Sequence, residues 1–400
     1  MGNLADYYSQ DIEITDGDGC YLFDKNGKKY LDFLAGWCVG NVGWKRKEIK
    51  EALQKEAERG IYVPPVLRFS GWEEFAQLLV KNSPNKELTK VFRCTSGSEA
   101  VEFAIKCARA ATGKKKIISV DGVYHGHTYG AAAVGDACSP EMAPCVPGFI
   151  KIPMPNAFIG VSGDEALKKL EEILSSDGDV AAFLSEPVWT NAGAIVPSGS
   201  FYPEVEKLCR KHGALLIMDE VATGFGRCGA LFASELWGLK PDIICLGKGL
   251  TGGFASLGAT LVTEKIFLAS SAIPWYSTFG WLPTDLAAAR ANVELILRDK
   301  LWENAKEVGG YLLEKLKPLE KYSFVNEVRG VGLLLGIEII DDAVKKPDFL
   351  KAQVIQNKCV ENGLMLETAH HNIFITPPLI LTKEQADEGA KILENVIINA

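Results

Sequence analysis

Short apolar runs alternate with amphipathic stretches through the middle of this chain. The apolar runs have the length of β-strands and lie at 91–95, 116–120, 180–184, 214–218, 242–246 and 259–263. Stretches with a 3.6-residue apolar period lie between several of them, at 98–112, 164–175 and 202–212. An alternation of strands and helices is typical of a mostly parallel sheet with helices on both faces. We therefore predict an α/β fold for this part of the chain.

The two ends of the chain have a different pattern. Residues 12–34 alternate short apolar runs with turns, including Asn26-Gly27, which indicates a small antiparallel sheet. Beyond residue 285 the periodicity predicts two long helices up to 323, strands at 330–340 and 373–375, and helices at 352–362 and 383–398. We predict a large domain at 45–290 and a small α+β domain built from 1–44 and 291–400.

Polar residues follow the central strands where each strand ends. Five such groups occur: Ser96-Gly97-Ser98-Glu99, Asp121 to His125, Ser185-Glu186, Asp219-Glu220 and Gly247-Lys248. The carboxyl ends of parallel strands meet at one edge of a sheet, where ligands bind. The sequence therefore predicts one pocket that combines free backbone amides, imidazoles, carboxylates and a lysine.

Composition narrows the class of protein. The 400 residues carry 43 Lys and Arg against 51 Asp and Glu, a formal charge of −8, which argues against a general nucleic-acid binder. No apolar run approaches the ~20 residues of a membrane span, and the N-terminus lacks a secretory pattern, so we expect a cytoplasmic protein. The ten cysteines form no CxxC pair, and several lie in apolar runs. They predict reduced, buried thiols rather than disulfides or zinc ligands.

Three of the polar groups together describe one cofactor. Ser96-Gly97-Ser98 at a helix start can bind a phosphate, although a plain N-cap would have the same residues. Lys248 follows a buried strand between two glycines, where burial favours an imine-forming amine. An aspartate at a strand end, such as Asp219, is by itself more often structural, but beside such a lysine it can pair with a ring nitrogen. A phosphate site, a lysine and a carboxylate are what pyridoxal 5′-phosphate (PLP) requires.

Two other motifs indicate different chemistry. Gly247-x-Gly249-x-x-Gly252 after a strand matches the dinucleotide fingerprint, so a dinucleotide-dependent dehydrogenase is an alternative; however, the glycine-rich stretch that follows is a poor helix, and no acidic residue stands about 20 positions on. His125 and His127 form a possible metal pair, but no further ligand lies near them in the sequence, which favours a hydrogen-bonding role. No metal site is predicted.

Six motifs, in order along nearly the whole chain, resemble the class III, or ω-type, aminotransferases of PLP fold type I. They are TSGSEAVEFAIKCAR (95–109), YHGHT (124–128), SEPV (185–188), DEVATGFGRCG (219–229), KPDIICLGKGLTGG (240–253) and STFG (277–280). The resemblance implies a large domain with a mostly parallel sheet, a small α+β domain from both termini, and a homodimer whose active site is shared between subunits. It also implies a small-molecule amino donor and an oxo-acid acceptor, with no nucleic-acid or membrane partner.

The resemblance also implies roles for single residues. Lys248 is similar to the lysine that forms the imine and moves the proton, and Asp219 to the partner of the pyridine nitrogen. The further positions that it assigns to cofactor binding are Ser96, Gly97 and Ser98 at the phosphate, Tyr124 and Val221 on the two ring faces, His125, Glu186 on the substrate side, and Thr278 as a phosphate contact from the neighbouring subunit. Trp37 and Glu186 resemble residues of the substrate pocket, and Phe374 is the third residue that we assign to that pocket.

The substrate region departs from part of the family. In the branch that uses 2-oxoglutarate with ornithine-like donors, an arginine usually stands three residues before the Pro-Pro-Leu element, where this chain has Phe374. His370 and His371 lie just upstream but offer no bidentate fork. We therefore expect a donor whose amine is remote from, or lacks, an α-carboxylate, and an acceptor such as pyruvate or 2-oxoglutarate. An aminomutase of the glutamate-1-semialdehyde type, which also has a YHGH-like loop, is the alternative within the cofactor class.

Overall fold

The computed structural model describes residues 11–274 and 276–400. Numbered along the chain, the strands are β1 (Ile14–Asp18), β2 (Tyr21–Asp24), β3 (Lys29–Asp32), β4 (Leu88–Cys94), β5 (Lys116–Val120), β6 (Phe149–Ile152), β7 (Val180–Ser185), β8 (Leu215–Asp219), β9 (Ile243–Leu246), β10 (Gly258–Thr263), β11 (Val325–Val331), β12 (Leu334–Asp341), β13 (Lys346–Pro347), β14 (Leu364–Met365), β15 (Glu367–Ala369) and β16 (Asn372–Ile375). The helices are α1 (Ala35–Cys38), α2 (Lys47–Ala57), α3 (Ser70–Asn82), α4 (Gly97–Thr112), α5 (Tyr129–Val134), α6 (Gly163–Ser176), α7 (Phe201–His212), α8 (Glu264–Ala269), α9 (Pro283–Arg298), α10 (Leu301–Leu316), α11 (Phe349–Glu361) and α12 (Lys383–Ile398).

A seven-stranded sheet forms the centre of the described residues, in the order β4-β10-β9-β8-β7-β5-β6. All neighbouring strands in it are parallel except at β10, which is antiparallel to both β4 and β9. The reversal follows from the connection, because β9 leads to β10 through a short loop without the helix that a parallel crossover needs. The predicted α/β fold with a mostly parallel sheet is confirmed.

Both faces of this sheet are covered, as the continuous apolar runs of its strands require. On β8, Leu216 and Met218 pack with residues of α6 and α7, whereas Ile217 between them packs with residues of α4. Successive side chains of a strand point to opposite faces, so a run without polar interruption is buried on both. The carboxyl edge of the sheet is left for the loops that follow the strands.

Two smaller sheets flank the central one. The first has the order β1-β2-β3-β14, and the parallel pairing of Leu31 with Leu364 joins the N-terminal hairpin to the C-terminal part of the chain. The hairpin turn expected at Asn26-Gly27 connects β2 to β3, with Gly27 at φ +79°. The second has the order β11-β12-β16-β15, with β13 paired to β12. The boundaries 1–44, 45–290 and 291–400 stay a prediction.

The prediction of reduced, buried thiols is wrong for one pair of cysteines. Cys138 and Cys145 form a disulfide, with their Cα atoms 6.3 Å apart. They lie in a loop between α5 and β6 rather than in an apolar run, so the burial argument did not apply to them. The other eight cysteines are free and buried, as predicted. Burial raises the thiol pKa of several, for example that of Cys20 to about 12.

Within residues 11–274 and 276–400, no helix has the length and apolar character to cross a membrane. The same residues contain no cluster of three or more His, Cys, Asp or Glu side chains placed to hold a metal ion.

Candidate active site

The polar strand ends converge on one cavity at the carboxyl edge of the central sheet. Strands β8 and β9 are adjacent and parallel, with Asp219 paired to Cys245, so Asp219 and Lys248 emerge side by side. The cavity has a volume of about 390 Å³. Its lining residues are Trp37, Ser96, Gly97, Ser98, Tyr124, His125, Gly126, Glu186, Thr190, Asn191, Asp219, Val221, Ala222 and Lys248.

The N-terminus of α4 forms one end of this cavity. The Ser96 side chain caps the helix by accepting a hydrogen bond from the Glu99 N–H, at 3.2 Å. A Cβ atom on Gly97 would lie 2.7 Å from Cγ1 of Val221, so only glycine allows the helix start and the loop after β8 to approach this closely. The first N–H groups of a helix have no intrahelical partners and attract anions. The position of Gly97 and Ser98 is thus suited to a phosphate.

A buried carboxylate and an imidazole form a pair on the floor of the cavity. Oδ2 of Asp219 lies 2.8 Å from Nδ1 of His125, while Oδ1 accepts a hydrogen bond from the Val221 N–H at 3.0 Å. Both side chains are almost completely buried. Nε2 of His125 is buried without a partner among the described residues. His127 is hydrogen-bonded elsewhere, with Nδ1 3.3 Å from Oγ of Ser98, so the two imidazoles do not share a ligand.

Glu186 is a second buried carboxyl group in this cavity. Its Oε2 accepts one hydrogen bond, from the Thr190 N–H at 3.1 Å. Burial, and next the charge of Asp219, raise the pKa of Glu186 to about 8, although Thr190 and Lys248 act in the opposite direction. Glu186 is therefore predominantly neutral at pH 7 and can donate a hydrogen bond into the cavity.

Lys248 is half-buried and sits in a tight turn that its flanking glycines make possible. Its own φ is +42°. A Cβ on Gly249 would lie 2.5 Å from Nδ2 of Asn41, and a Cβ on Gly247 would lie 3.2 Å from Cα of Gly97. The glycines thus let the Lys248 turn pack against the helix start on one side and the N-terminal loop on the other. The turn also rules out the dinucleotide fingerprint, because a single 3₁₀ turn and then β10 follow Gly247 where that motif needs a helix.

Aromatic side chains form the walls. The ring of Trp37 stacks on that of Phe374 with centroids 5.0 Å apart and planes 25° apart. Phe374 is fully buried behind Trp37 and does not itself line the cavity. It therefore affects the cavity only by supporting the ring of Trp37. Tyr124 and Val221 also line the cavity. The exposed Thr278 does not line this chain's cavity, and its carbonyl oxygen accepts a hydrogen bond from Oη of Tyr62 at 2.9 Å.

Some lining residues were not identified from the sequence. Thr190 and Asn191 follow the SEPV motif in a turn, and their order along the chain was the only available signal. Conversely, the two histidines next to Phe374 do not line the cavity. Nε2 of His371 lies 3.2 Å from Oε1 of Glu338, and His370 is exposed.

This set of groups fits PLP. The helix start offers amides for the phosphate, the buried Asp219 can pair with a protonated ring nitrogen, and Lys248 can reach an aldehyde at the edge of the cavity. Val221 and Tyr124 offer apolar surface for the two faces of a ring. All these groups line one cavity, with Gly97 leaving room for the loop that carries Val221.

Comparisons with known proteins agree with this chemistry. The sequence profile of the family described as "Aminotransferase class-III" matches residues 5–397. An acetylornithine aminotransferase of Archaeoglobus fulgidus is 34% identical over 395 residues, covering 98% of this chain and 97% of the relative. One of Bacillus subtilis is 35% identical over 402 residues, covering 99% and 98%.

Among solved structures, an amine transaminase from an uncultivated Pseudomonas species, in its PLP-bound form, is similar over the whole chain. The TM-score is 0.93 and the sequence identity 30%, with 100% of this chain and 97% of that chain covered. The curated relatives and the structural neighbour thus share one reaction type but carry names that indicate different amino donors.

Proposed function

This chain belongs to the class-III aminotransferase family and is a PLP-dependent transaminase, and on that premise we propose that its amino donor is an amine without an α-carboxylate. Transamination moves the amino group of a small-molecule donor to an oxo acid. We propose pyruvate or 2-oxoglutarate as that acceptor. The two half-reactions alternate on one site.

The residues of the cavity divide the work between them. The bound PLP supplies an aldehyde for the donor nitrogen and a ring that withdraws electrons from the neighbouring carbon. The first N–H groups of α4, at Gly97 and Ser98, would hold its phosphate, and Asp219, oriented by His125 and the Val221 N–H, would hold its ring nitrogen. Nζ of Lys248 is the base that would remove the proton from the donor carbon and later return one. Tyr124 and Val221 would exclude water from the two faces of the ring.

One observation supports the substrate class. No arginine side chain lines the cavity in the part of the chain that the structure describes, and the single lining cation is Lys248. The lining carboxyl groups are Asp219 and Glu186, so among the described residues of this chain a donor carboxylate would meet no cation apart from Lys248. The stacked rings of Trp37 and Phe374 instead offer an apolar wall. This arrangement favours an amine with an apolar substituent.

A second candidate donor comes from the relatives. Acetylornithine aminotransferases are 34–35% identical to this chain over nearly its full length, which supports an ω-amine at the end of a chain that carries a carboxylate. Binding that carboxylate needs a cation that this chain's cavity does not offer among the described residues, so we place this donor second.

A half-reaction screen decides between the two donors. The PLP-loaded protein is mixed with 1-phenylethylamine, 4-aminobutyrate, N-acetylornithine or alanine in turn, and the loss of the visible cofactor absorbance is followed. We expect kcat/KM for 1-phenylethylamine to exceed that for N-acetylornithine by about tenfold or more, because an uncompensated carboxylate in this cavity loses at least one charge-assisted hydrogen bond. A preference for N-acetylornithine of the same size would overturn the proposal.

The acceptor is tested in the full reaction with pyruvate and 2-oxoglutarate added separately. Transamination requires an added oxo acid, whereas an aminomutase of the glutamate-1-semialdehyde type would turn over a single added substrate. Sustained turnover without any oxo acid would therefore support the aminomutase instead.

We further propose a homodimer in which Thr278 of each chain contributes to its neighbour's cavity. Two segments expose apolar side chains next to each other, since Oη of Tyr62 binds the Thr278 carbonyl and the rings of Tyr62 and Phe279 lie 6.4 Å apart. The exposed apolar side chains of these segments, which we call the 61–67/276–279 patch, are Ile61, Tyr62, Val66, Leu67, Tyr276 and Phe279. Large exposed apolar patches are typical of protein interfaces.

A further inference from the structure

The backbone that carries Trp37 into the cavity is a left-handed turn. Four consecutive residues of α1 have positive φ: Ala35 at 45°, Gly36 at 60°, Trp37 at 63° and Cys38 at 66°. Only glycine adopts this region without steric conflict, so three of the four residues are held in a conformation that their side chains disfavour. A strained segment of this kind persists only where its surroundings impose it.

Asp32 is hydrogen-bonded to the backbone where this turn begins. Its Oδ1 accepts hydrogen bonds from the N–H groups of Leu34 and Ala35, at 2.9 and 2.8 Å, at the entrance of the turn. Its Oδ2 accepts a hydrogen bond from Nε1 of Trp44 at 2.8 Å. Asp32 is fully buried, so each of these donors replaces water that the carboxylate has lost.

Trp44 supports the turn from the side opposite the cavity. Cβ atoms placed on Gly40 and Gly253 would lie 2.8 and 3.5 Å from its ring, so the indole fills a slot between the turn and the loop that follows Lys248. Behind the turn, Asp32, Leu34, Gly36 and Trp44 also line a surface groove of about 650 Å³. The backbone at Gly36 thus has open space behind it, and the Asp32 hydrogen bonds oppose its movement into that space.

We propose that Asp32 and Trp44 are positioning residues that set the width of the substrate cavity by holding the left-handed turn, and with it the ring of Trp37, against Phe374. Neither residue lines the cavity. This inference rests on the proposed function in one respect, namely that Trp37 bounds the space for the donor's substituent. Loosening the pair would let the turn relax toward ordinary φ values and enlarge the range of donors, while the cofactor groups stay in place.

The test compares three variants with one control. Trp44→Phe keeps the aromatic ring but removes the N–H that fixes Oδ2 of Asp32. Ala35→Gly makes the left-handed conformation accessible without steric conflict, so it should restore the turn in the Trp44→Phe background. Trp37→Ala removes the wall itself. Trp72→Phe is the matched control, because Nε1 of Trp72 also donates one hydrogen bond, to the Trp281 carbonyl, away from the cavity.

The first readout needs neither cofactor nor activity. Hydrogen–deuterium exchange of the peptide covering 33–43 is measured on cofactor-free protein by mass spectrometry. We expect exchange in this peptide to be about tenfold faster in Trp44→Phe, to return toward the wild-type rate in Trp44→Phe/Ala35→Gly, and to be unchanged in Trp72→Phe. Unchanged exchange in folded Trp44→Phe would overturn the proposal. Should Trp44→Phe fail to fold, Ala35→Gly alone decides, with slower exchange supporting the proposal and unchanged or faster exchange overturning it.

The second readout is the ratio of kcat/KM for a bulky donor, 1-(1-naphthyl)ethylamine, to that for a small one, 2-butylamine. We expect Trp37→Ala and Trp44→Phe each to raise this ratio about fivefold or more, and Ala35→Gly to reverse the effect of Trp44→Phe. A raised ratio in Trp37→Ala alone overturns this inference and leaves the proposed function intact. An unchanged ratio in Trp37→Ala means that Trp37 does not bound the donor's substituent, which overturns this inference, whereas the proposed function is overturned only by the donor screen.

Discussion

Two carboxyl groups in the cavity have different surroundings at the scale of single residues. Asp219 accepts a backbone hydrogen bond and contacts His125, whereas Glu186 is hydrogen-bonded to Thr190 and is close enough to Asp219 to be affected by its charge. The pKa of Glu186 is raised to about 8 by burial and by that neighbour. Surroundings that give two nearby carboxyl groups different pKa values suit them to different roles. The surroundings of Asp219 suit its proposed pairing with a ring nitrogen, and those of Glu186 suit donation of a hydrogen bond into the substrate space.

The raised pKa of Glu186 makes stability depend on pH. Between about 4.5, the ordinary value, and about 8, the folded chain retains a proton that the unfolded chain releases, so stability is highest below this window and falls as pH rises through it. In Glu186→Gln this dependence should be absent. We expect the Tm of cofactor-free wild type, relative to that of the variant, to be lower at pH 9 than at pH 5 by about 2 °C or more, as measured by circular dichroism. A constant difference would contradict the assignment.

Substitution of Lys248 tests its proposed role in proton transfer and cofactor binding. Lys248→Ala removes the proposed base and the bond to the cofactor, so we expect kcat to fall by about 10⁴ or more and the visible absorbance of PLP-loaded protein to be lost. Lys248→Arg keeps the charge but not the nucleophile and should be equally inactive. Exposed Lys265→Ala is the control, with unchanged kcat. Turnover by Lys248→Ala at more than a tenth of the wild-type rate would exclude the role.

Arg227 joins three elements around the cavity at the scale of secondary structure. It is fully buried, and its guanidinium donates hydrogen bonds to the carbonyl groups of Leu333 and Pro377 and to Oδ1 of Asn41. Leu333 directly precedes β12, Pro377 follows β16, and Asn41 lies in the N-terminal loop. The arginine thus connects the loop after β8 to segments that are distant in sequence. It also holds the side chain of Asn41, against which the Lys248 turn packs.

Removal of this guanidinium should destabilise the whole arrangement. Arg227→Met leaves three buried acceptors without their donor, a loss of about 3 kcal/mol or more, so we expect Tm to fall by about 3 °C or more. The matched control is Arg298→Met, because Arg298 is more than half exposed and pairs with the adjacent Asp299. Thermal unfolding of both cofactor-free variants checks this. Equal Tm values for the two would refute the role of Arg227.

The left-handed turn shows how an element stores strain for a site. Three non-glycine residues with positive φ cost roughly 1–2 kcal/mol each, and the Asp32 hydrogen bonds offset that cost. The same type of cost is absent at Gly97 and Gly249, where glycine is needed for close approach. The shape of the cavity therefore depends on glycines that allow close approach of the backbone and on the hydrogen bonds of Asp32 to the strained turn.

The 61–67/276–279 patch determines the expected assembly at the scale of the whole molecule. We expect the chain to have twice its mass of 43.5 kDa in solution, because the patch is apolar and adjoins the proposed shared site. Val66→Asp places a charge in the patch, where 86% of Val66 is exposed in the single chain, and should shift the protein to monomer with weaker PLP binding. Leu350→Asp, at a residue 77% exposed on α11, is the control.

Light scattering and cofactor titration measure this effect. A wild-type protein that is monomeric at micromolar concentration, or a Val66→Asp variant that stays dimeric, would show that the patch is not the interface. A shift caused equally by Leu350→Asp would show a general loss of solubility rather than a specific contact.

Much of this molecule follows from local patterns in the sequence. The unbroken apolar runs around Ile217 and Ile244 require burial on both faces, so they predict a parallel sheet. Parallel strands bring Asp219 and Lys248 to the same edge of that sheet. The resemblance of the motifs to a known family then identifies the cofactor expected at this edge. The glycines at 97 and 247 signal close approach in the sequence alone, although not the partners that they approach.

The tertiary structure decided what depends on segments far apart along the chain. The stack of Trp37 on Phe374 and the hydrogen bonds from Arg227 to the carbonyl groups of Leu333 and Pro377 join segments more than 100 residues apart, and no periodic pattern along the sequence signals them. The antiparallel direction of β10 and the pairing of Cys138 with Cys145 likewise depend on how short connections close. Local patterns specify which residues are buried and where strands end, but contacts between distant loops arise only when the packed sheet brings those loops together.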